Sequence, residues 1–177
     1  MLLTLGGIAV PSLRYATDSL RATAAARYVA TRLQQARMEA VTRSADVAVR
    51  FARSTTGYSF AVYVDGNRNG VLASDIDHGV DWRLGPIESL RDNFGSVDFG
   101  TMPGLPAIDS GGTPPGSDPI RLGSSGSATF APLGTSSSGT LYVSGRGNQQ
   151  FAIRIYGETG KTRILKFDGR SRRWNPL

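Results

Sequence analysis

Two changes of rhythm divide the chain. Met1 to Leu13 is an apolar stub with no charged residue. From Ser12 to Thr56 neither Gly nor Pro occurs. Within that run Tyr15, Ser19, Ala22, Ala26, Val29, Leu33, Ala36 and Ala40 recur at alternating steps of four and three, the spacing of one helix face. This spacing predicts a helix over about Ser12 to Ser44. Its stripe is small and apolar, which suits close packing, and Arg14, Arg21, Arg32 and Arg43 lie off it. Frequent Ala raises the intrinsic helix propensity.

Beyond the helix the period shortens to two. Val47, Val49 and Phe51 alternate with Ala48 and Arg50, and Tyr58, Phe60, Val62 and Val64 alternate with Ser59, Ala61 and Tyr63. Asp65 to Gly70 is a turn cluster. Trp82 to Leu90, Ser96 to Phe99, Ser127 to Ala131 and Thr140 to Ser144 read as short strands. Gln150 to Tyr156 and Thr162 to Phe167 flank Gly157-Glu158-Thr159-Gly160, a hairpin signal. Gly100 to Ser127 is rich in Gly, Pro and Ser and reads as a long mobile loop. The expected organisation is a remnant of an apolar helix over 1–13, a helical stalk over 14–44, a β-rich head over 45–167 and a basic tail over 168–177. The fold class is α+β, a long N-terminal helix packed on an antiparallel sheet.

The stub offers about half of the roughly 20 apolar residues that a membrane-spanning helix needs. It runs straight into a helix and not into a small-residue cleavage site, so it reads best as the C-terminal half of a longer apolar helix. Gly6, Gly7 and Pro11 are better tolerated in such a helix than in a soluble one.

Charge sharpens the picture. The net charge is +6, and residues 1–145 hold 12 basic and 12 acidic groups. The whole excess therefore sits in the last 32 residues, where eight basic groups face only Glu158 and Asp168. Such asymmetry points to a polyanionic partner, and 18 of the 20 basic residues are Arg, the side chain suited to bidentate phosphate contacts. The chain has no Cys, which excludes disulfides and thiolate metal sites.

Candidate chemistry is sparse. Asp65, Asn67 and Asn69 with Gly70 match the first half of a calcium loop, but Ile76 stands where the bidentate Glu belongs and Arg68 adds positive charge. A turn driven by Asp, Asn and Gly explains the segment as well. Gly157 to Thr162 superficially resembles a phosphate-binding loop, but Ile155 occupies the position of its first Gly and the segment lies between two strands. His78 is the only histidine, and no nucleophile motif accompanies it. The expectation is no enzyme activity, no catalytic residue, no cofactor and no small-molecule substrate.

Three pieces carry a family resemblance: the stub ending in Ala9-Val10-Pro11-Ser12-Leu13; the helical segment Leu33-Gln34-Gln35-Ala36-Arg37-Met38-Glu39-Ala40-Val41-Thr42-Arg43; and a later pattern of Val64-Asp65 with Asn67, Asn69 and Gly70, then Phe130 to Gly134, then Gly160 to Arg163. Together they resemble the GspH/FimT group of minor type IV pilins and type II secretion pseudopilins. The family's leader, its cleavage site and the glutamate near the mature N-terminus are absent, so the sequence is expected to begin inside the family's transmembrane segment.

The resemblance implies a type IV pilin-like fold and a structural subunit of a pilus or pseudopilus. It implies a single-pass anchor in the bacterial inner membrane through the N-terminal helix, with the head in the periplasm. The implied partners are other minor pilins or pseudopilins and the filament. Leu2, Leu3, Leu5, Ile8, Val10, Pro11 and Leu13 are then the membrane or filament-core residues. Relatives of the FimT type bind double-stranded DNA for uptake through a Gly-Arg-x-Arg motif near the C-terminus. Gly169-Arg170-Ser171-Arg172 matches that pattern, and Gly160-Lys161-Thr162-Arg163 matches it with Lys for the first Arg. The candidate DNA-binding residues are Lys161, Arg163, Arg170, Arg172 and Arg173, with Trp174 placed to stack on a base.

Overall fold

A computed structural model describes residues 6–123 and 125–177, with side chains from Ala16 onward along the first helix. Helix α1 spans Gly6–Arg43. The strands are β1 (Val47–Ser54), β2 (Gly57–Val64), β3 (Trp82–Ser89), β4 (Asp98–Phe99), β5 (Ile120–Leu122), β6 (Ser127–Phe130), β7 (Gly139–Gly145), β8 (Gln149–Tyr156), β9 (Lys161–Asp168) and β10 (Arg173–Pro176). Two short helices, α2 (Ala73–Asp77) and α3 (Leu90–Phe94), flank β3.

From Ala22 onward the expected stripe is the buried face of α1; Ser19 is half-buried, and the Tyr15 side chain lies outside the described residues. Ala22, Ala26, Val29, Leu33, Ala36 and Ala40 are all buried, joined by Ala25 and Ala30. Six of these eight side chains are Ala, so the helix axis comes close to the strands beneath it. Leu33 supplies the largest buried side chain on this face.

Two antiparallel sheets receive the helix. One runs β3-β2-β1-β6, and the other runs β10-β9-β8-β7-β4 with β5 also paired to β7. Alternation in β8 turns Phe151, Ile153 and Ile155 into the core beneath α1, which also holds Leu141, Val143, Val47, Val49 and Phe130. Phe51 and Phe60 of the first sheet meet Phe99 of the second at ring-centroid separations of 5.2 and 6.0 Å, tying the sheets together edge to face. Tyr28 of α1 donates a hydrogen bond to Glu88 of β3, and Arg32 pairs with the same carboxylate.

Three differences from the sequence reading have local causes. Leu90 begins α3 and does not end a strand, because Ser89 caps that helix by accepting from Arg91 N–H at 3.2 Å. The segment read as a mobile loop over Gly100 to Ser127 is largely fixed. It contains β5 and a buried Leu105, and the Gln150 side chain holds it from both sides, accepting from Met102 N–H at 2.9 Å and donating to Gly100 O at 3.0 Å. The segment 168–177 carries β10, which pairs with β9 from Arg173↔Asp168 to Pro176↔Leu165.

Candidate functional site

Three of the motif segments, around Gln34, Gly134 and Gly160, meet at one end of the second sheet. Gln34 on α1 donates to Gly160 O at 3.3 Å and to Thr162 Oγ1 at 3.1 Å. One turn further along α1, Arg37 lies against the same β8–β9 turn and against the turn that closes at Gly134. A β-carbon at Gly160 would sit 2.7 Å from Gly134 O and 2.9 Å from Arg37 Nε. Gly160 has φ +61°, a conformation that glycine adopts at least cost. Arg37 Nε is buried and makes no hydrogen bond among the described residues, so its placement is set by packing.

The loop between β2 and β3 is closed by its own carboxylates. Asp65 is buried, and its two oxygens accept from Asn67, Arg68 and Gly70 N–H groups at 2.7–3.0 Å. Asp81, also buried, accepts from Gly66 N–H and Leu72 N–H, each at 2.9 Å. Asn67 and Asn69 both donate to Asp75, each at 2.9 Å. These bonds, Asn69's first, hold the Asp75 carboxyl below the usual carboxylate range. The three calcium candidates are thus brought together, but as a turn in which Asp65 is occupied by backbone donors and the Asn amides serve Asp75. Among the described residues no group of three or more acidic, His or Cys side chains is placed to hold a metal ion. His78 is exposed, with Nδ1 2.7 Å from Ser74 O.

The basic candidates divide into two groups. Lys161 and Arg163 stand exposed on the outer face of β9, the face away from α1. Arg170, Arg172 and Arg173 sit beyond the other end of that strand, and the five strand residues after Arg163 span about 17 Å at the usual strand rise. Asp168 organises this second group, accepting from Arg170 N–H at 2.9 Å and from Ser171 Oγ at 2.7 Å. The Ser171 bond is the first cause of the lowered Asp168 pKa, followed by Arg170 N–H. Arg172, at φ +53°, donates to Gly104 O at 2.9 Å. Trp174 is half-buried against Tyr142 and Phe167, and its indole N–H donates to Pro106 O at 3.1 Å.

Sequence reasoning missed two arginines beside the first group. Arg154 of β8 lies opposite Arg163, and Arg121 of β5 lies opposite Thr140, to which Arg154 donates at 3.1 Å. The alternation of Ala152, Arg154 and Tyr156 in a predicted strand marked Arg154 as outward-facing. The pairing of β5 with β7 left no comparable trace in one sequence.

Of the apolar N-terminal residues, Leu2, Leu3 and Leu5 lie outside the described residues, as do the side chains of Ile8, Val10, Pro11 and Leu13. No helix among the described residues is long and apolar enough to cross a membrane. The first buried position of α1 among them is Ala22.

Neither the curated proteins nor the solved structures give a match to this chain. The family model described as type II transport protein GspH matches residues 25–160. That span runs from within the buried stripe of α1 through the first sheet and the second as far as β8, ending at Gly160 before β9 and β10, and it takes in Gln34, Arg37 and the turns at Gly134 and Gly160. With a pilin-like α+β fold and a match over most of its length, the chain belongs to the GspH family.

Proposed function

We propose that this protein is a minor pilin or pseudopilin, a structural subunit in the assembly of a type IV pilus or a type II secretion pseudopilus. The family match over residues 25–160 carries the reading. The apolar start of the chain, Met1 to Leu13, supports it. In this reading the N-terminal helix, with Leu2, Leu3, Leu5, Ile8, Val10, Pro11 and Leu13, anchors in the inner membrane and later joins the filament core. The head stays in the periplasm and contacts other minor subunits. The role is structural, without catalysis or cofactor.

The test is a clean deletion in the native host, scored for pilus formation and for secretion, with a tagged copy followed through membrane and sheared-filament fractions. Loss of either process, restored by the tagged copy in the membrane fraction, is expected. Normal piliation and secretion together with a protein absent from both fractions would overturn the reading.

A second reading, DNA binding of the FimT type, is favoured by one observation. The Gly169–Arg172 turn is ordered by Asp168 and presents Arg170 and Arg173 as exposed side chains. Fluorescence anisotropy with labelled duplex DNA tests it. Binding that weakens with salt and falls when Arg170, Arg172 and Arg173 become Ala is expected, and no binding at low salt would remove it.

A further inference from the structure

The outer face of the second sheet, away from α1, carries a patch centred on Arg154. Strand register sets Arg154 opposite Arg163 and, one pair along on the same face, Tyr156 opposite Lys161. On the other side of Arg154 the row continues through Thr140 to Arg121. One row across four strands therefore holds three arginines, and the next row adds an aromatic ring beside a lysine.

Like charges placed directly opposite on neighbouring strands repel. Among the described residues one ion pair relieves this row: Asp109, on the segment before β5, lies 2.8 Å from Arg154 Nη2 and is itself exposed, while Arg121 donates to the carbonyls of Thr113 and Pro114 at 3.2 and 2.6 Å. Arg163 and Lys161 make no ion pair among the described residues. Tyr156 is 44% exposed and makes no ring contact among them. Arg154, Tyr156, Lys161 and Arg163 line one shallow depression of about 630 Å³, to which Glu158 in the β8–β9 turn contributes the only carboxylate.

We propose that this face binds single-stranded nucleic acid. Arg154, Arg163 and Lys161 take consecutive phosphates, and Tyr156 offers its ring to a base. Arginine forks match phosphate oxygens in pairs, and an exposed aromatic ring flanked by cations suits a strand whose bases have open faces. In a duplex the base faces are stacked inside, leaving the Tyr156 ring no face to stack on. Asp109 occupies Arg154 as a carboxylate stand-in for phosphate, and an exposed pair of this kind exchanges readily. The proposal rests on the phosphate-binding reading of Lys161 and Arg163. It changes the strandedness of the ligand and moves the centre of the site away from Arg170, Arg172 and Arg173.

Anisotropy with labelled oligothymidylate and with a duplex of equal length tests it, with folding of each variant checked by circular dichroism. The single strand is expected to bind more tightly. Tyr156→Leu should lose about tenfold for the single strand and little for the duplex, while Tyr156→Phe retains binding. Arg154→Gln and Lys161→Gln should each weaken both ligands, and Asp109→Asn should strengthen both several-fold. The proposal is overturned by equal affinity for duplex with no effect of Tyr156→Leu; by equal competition by polyglutamate, which would show that charge alone is read; or by binding that survives Arg154→Gln and Lys161→Gln but falls in the Arg170, Arg172, Arg173 triple variant. The last result would leave the duplex reading standing at the β9–β10 turn. Absence of binding to either ligand at low salt would remove both.

Discussion

Replacing Gly160 by Ala tests the convergence of α1 with the two turns beneath it. Gly160 is buried at φ +61°, where a side chain costs about 1–2 kcal/mol of backbone strain. The added carbon meets Gly134 O at 2.7 Å and the Arg37 side chain at 2.9–3.0 Å. Arg37 can shift, but a carbonyl fixed in a neighbouring turn yields only if that turn moves, and such overpacking costs about 1–3 kcal/mol. The sum is a loss of about 2–5 kcal/mol. Gly79→Ala is the matched control, because Gly79 has φ +72° and nothing within 4 Å of its β-carbon position. It bears the strain without the collision, and the reduced freedom of the unfolded chain is common to both variants. Urea unfolding by circular dichroism should place the Gly160→Ala midpoint below that of Gly79→Ala by the equivalent of about 1–3 kcal/mol, with unchanged m values. Equal midpoints would refute the claim that Gly160 is required for the close approach of Arg37 and the Gly134 turn.

Leu33→Ala removes the largest buried side chain of the helix stripe, which is 1% exposed, and should cost about 2–5 kcal/mol in the same assay. Glu88→Ala strands Arg32 and the Tyr28 hydroxyl together, and a loss of about 1–3 kcal/mol in thermal unfolding is expected. Burial first, and the charge of Asp65 second, raise the Asp46 pKa above the ordinary carboxylate value. Asp46 therefore favours folding most below its unfolded pKa, and this contribution is lost as pH rises through the raised folded value. Asp46→Asn should accordingly raise the unfolding midpoint at neutral pH, with an advantage that shrinks as pH falls through the carboxylate range. A constant advantage across that range would contradict the assignment.

Much of the architecture was legible because single-strand or single-helix periodicity carries it. The stripe from Ala22 to Ala40 reads as one face, and the alternating large residues of β1, β2 and β8 (Val47, Val49, Phe60, Val62, Val64, Phe151, Ile153 and Ile155) enter the core, although Ala48, Ala61 and Ala152 on the other face are buried too. β10 was not legible, because Arg173-Trp174-Asn175-Pro176 is only four residues long and ends in Pro, which argues against a strand. It becomes a strand through pairing with β9 and through Trp174 packing on Phe167 and Tyr142. The segment before β5 has the composition of a loop, and what fixes it comes from Gln150, Arg154, Arg172 and Trp174, all far along the chain. The candidate site shows the same division. Lys161 and Arg163 were visible as a motif, whereas Arg121 joins them only through a register that β7 sets between β5 and β8.

The helix signature follows from this geometry. Gln34 and Arg37 spend their polar groups and bulk on the turns at Gly160 and Gly134, while Leu33, Ala36 and Ala40 fill the core beside them. Each of these positions faces its own head, so the segment that most resembles the family specifies how the helix docks. The opposite face is chemically different: Leu20, Met38 and Val41 are exposed at 71%, 61% and 47%. Apolar side chains on that face contribute little to the stability of the isolated head. They form the part of α1 left open to neighbouring subunits in the proposed filament. One helix thus keeps two tasks on separate faces, and substitutions on one face should alter folding while those on the other alter assembly.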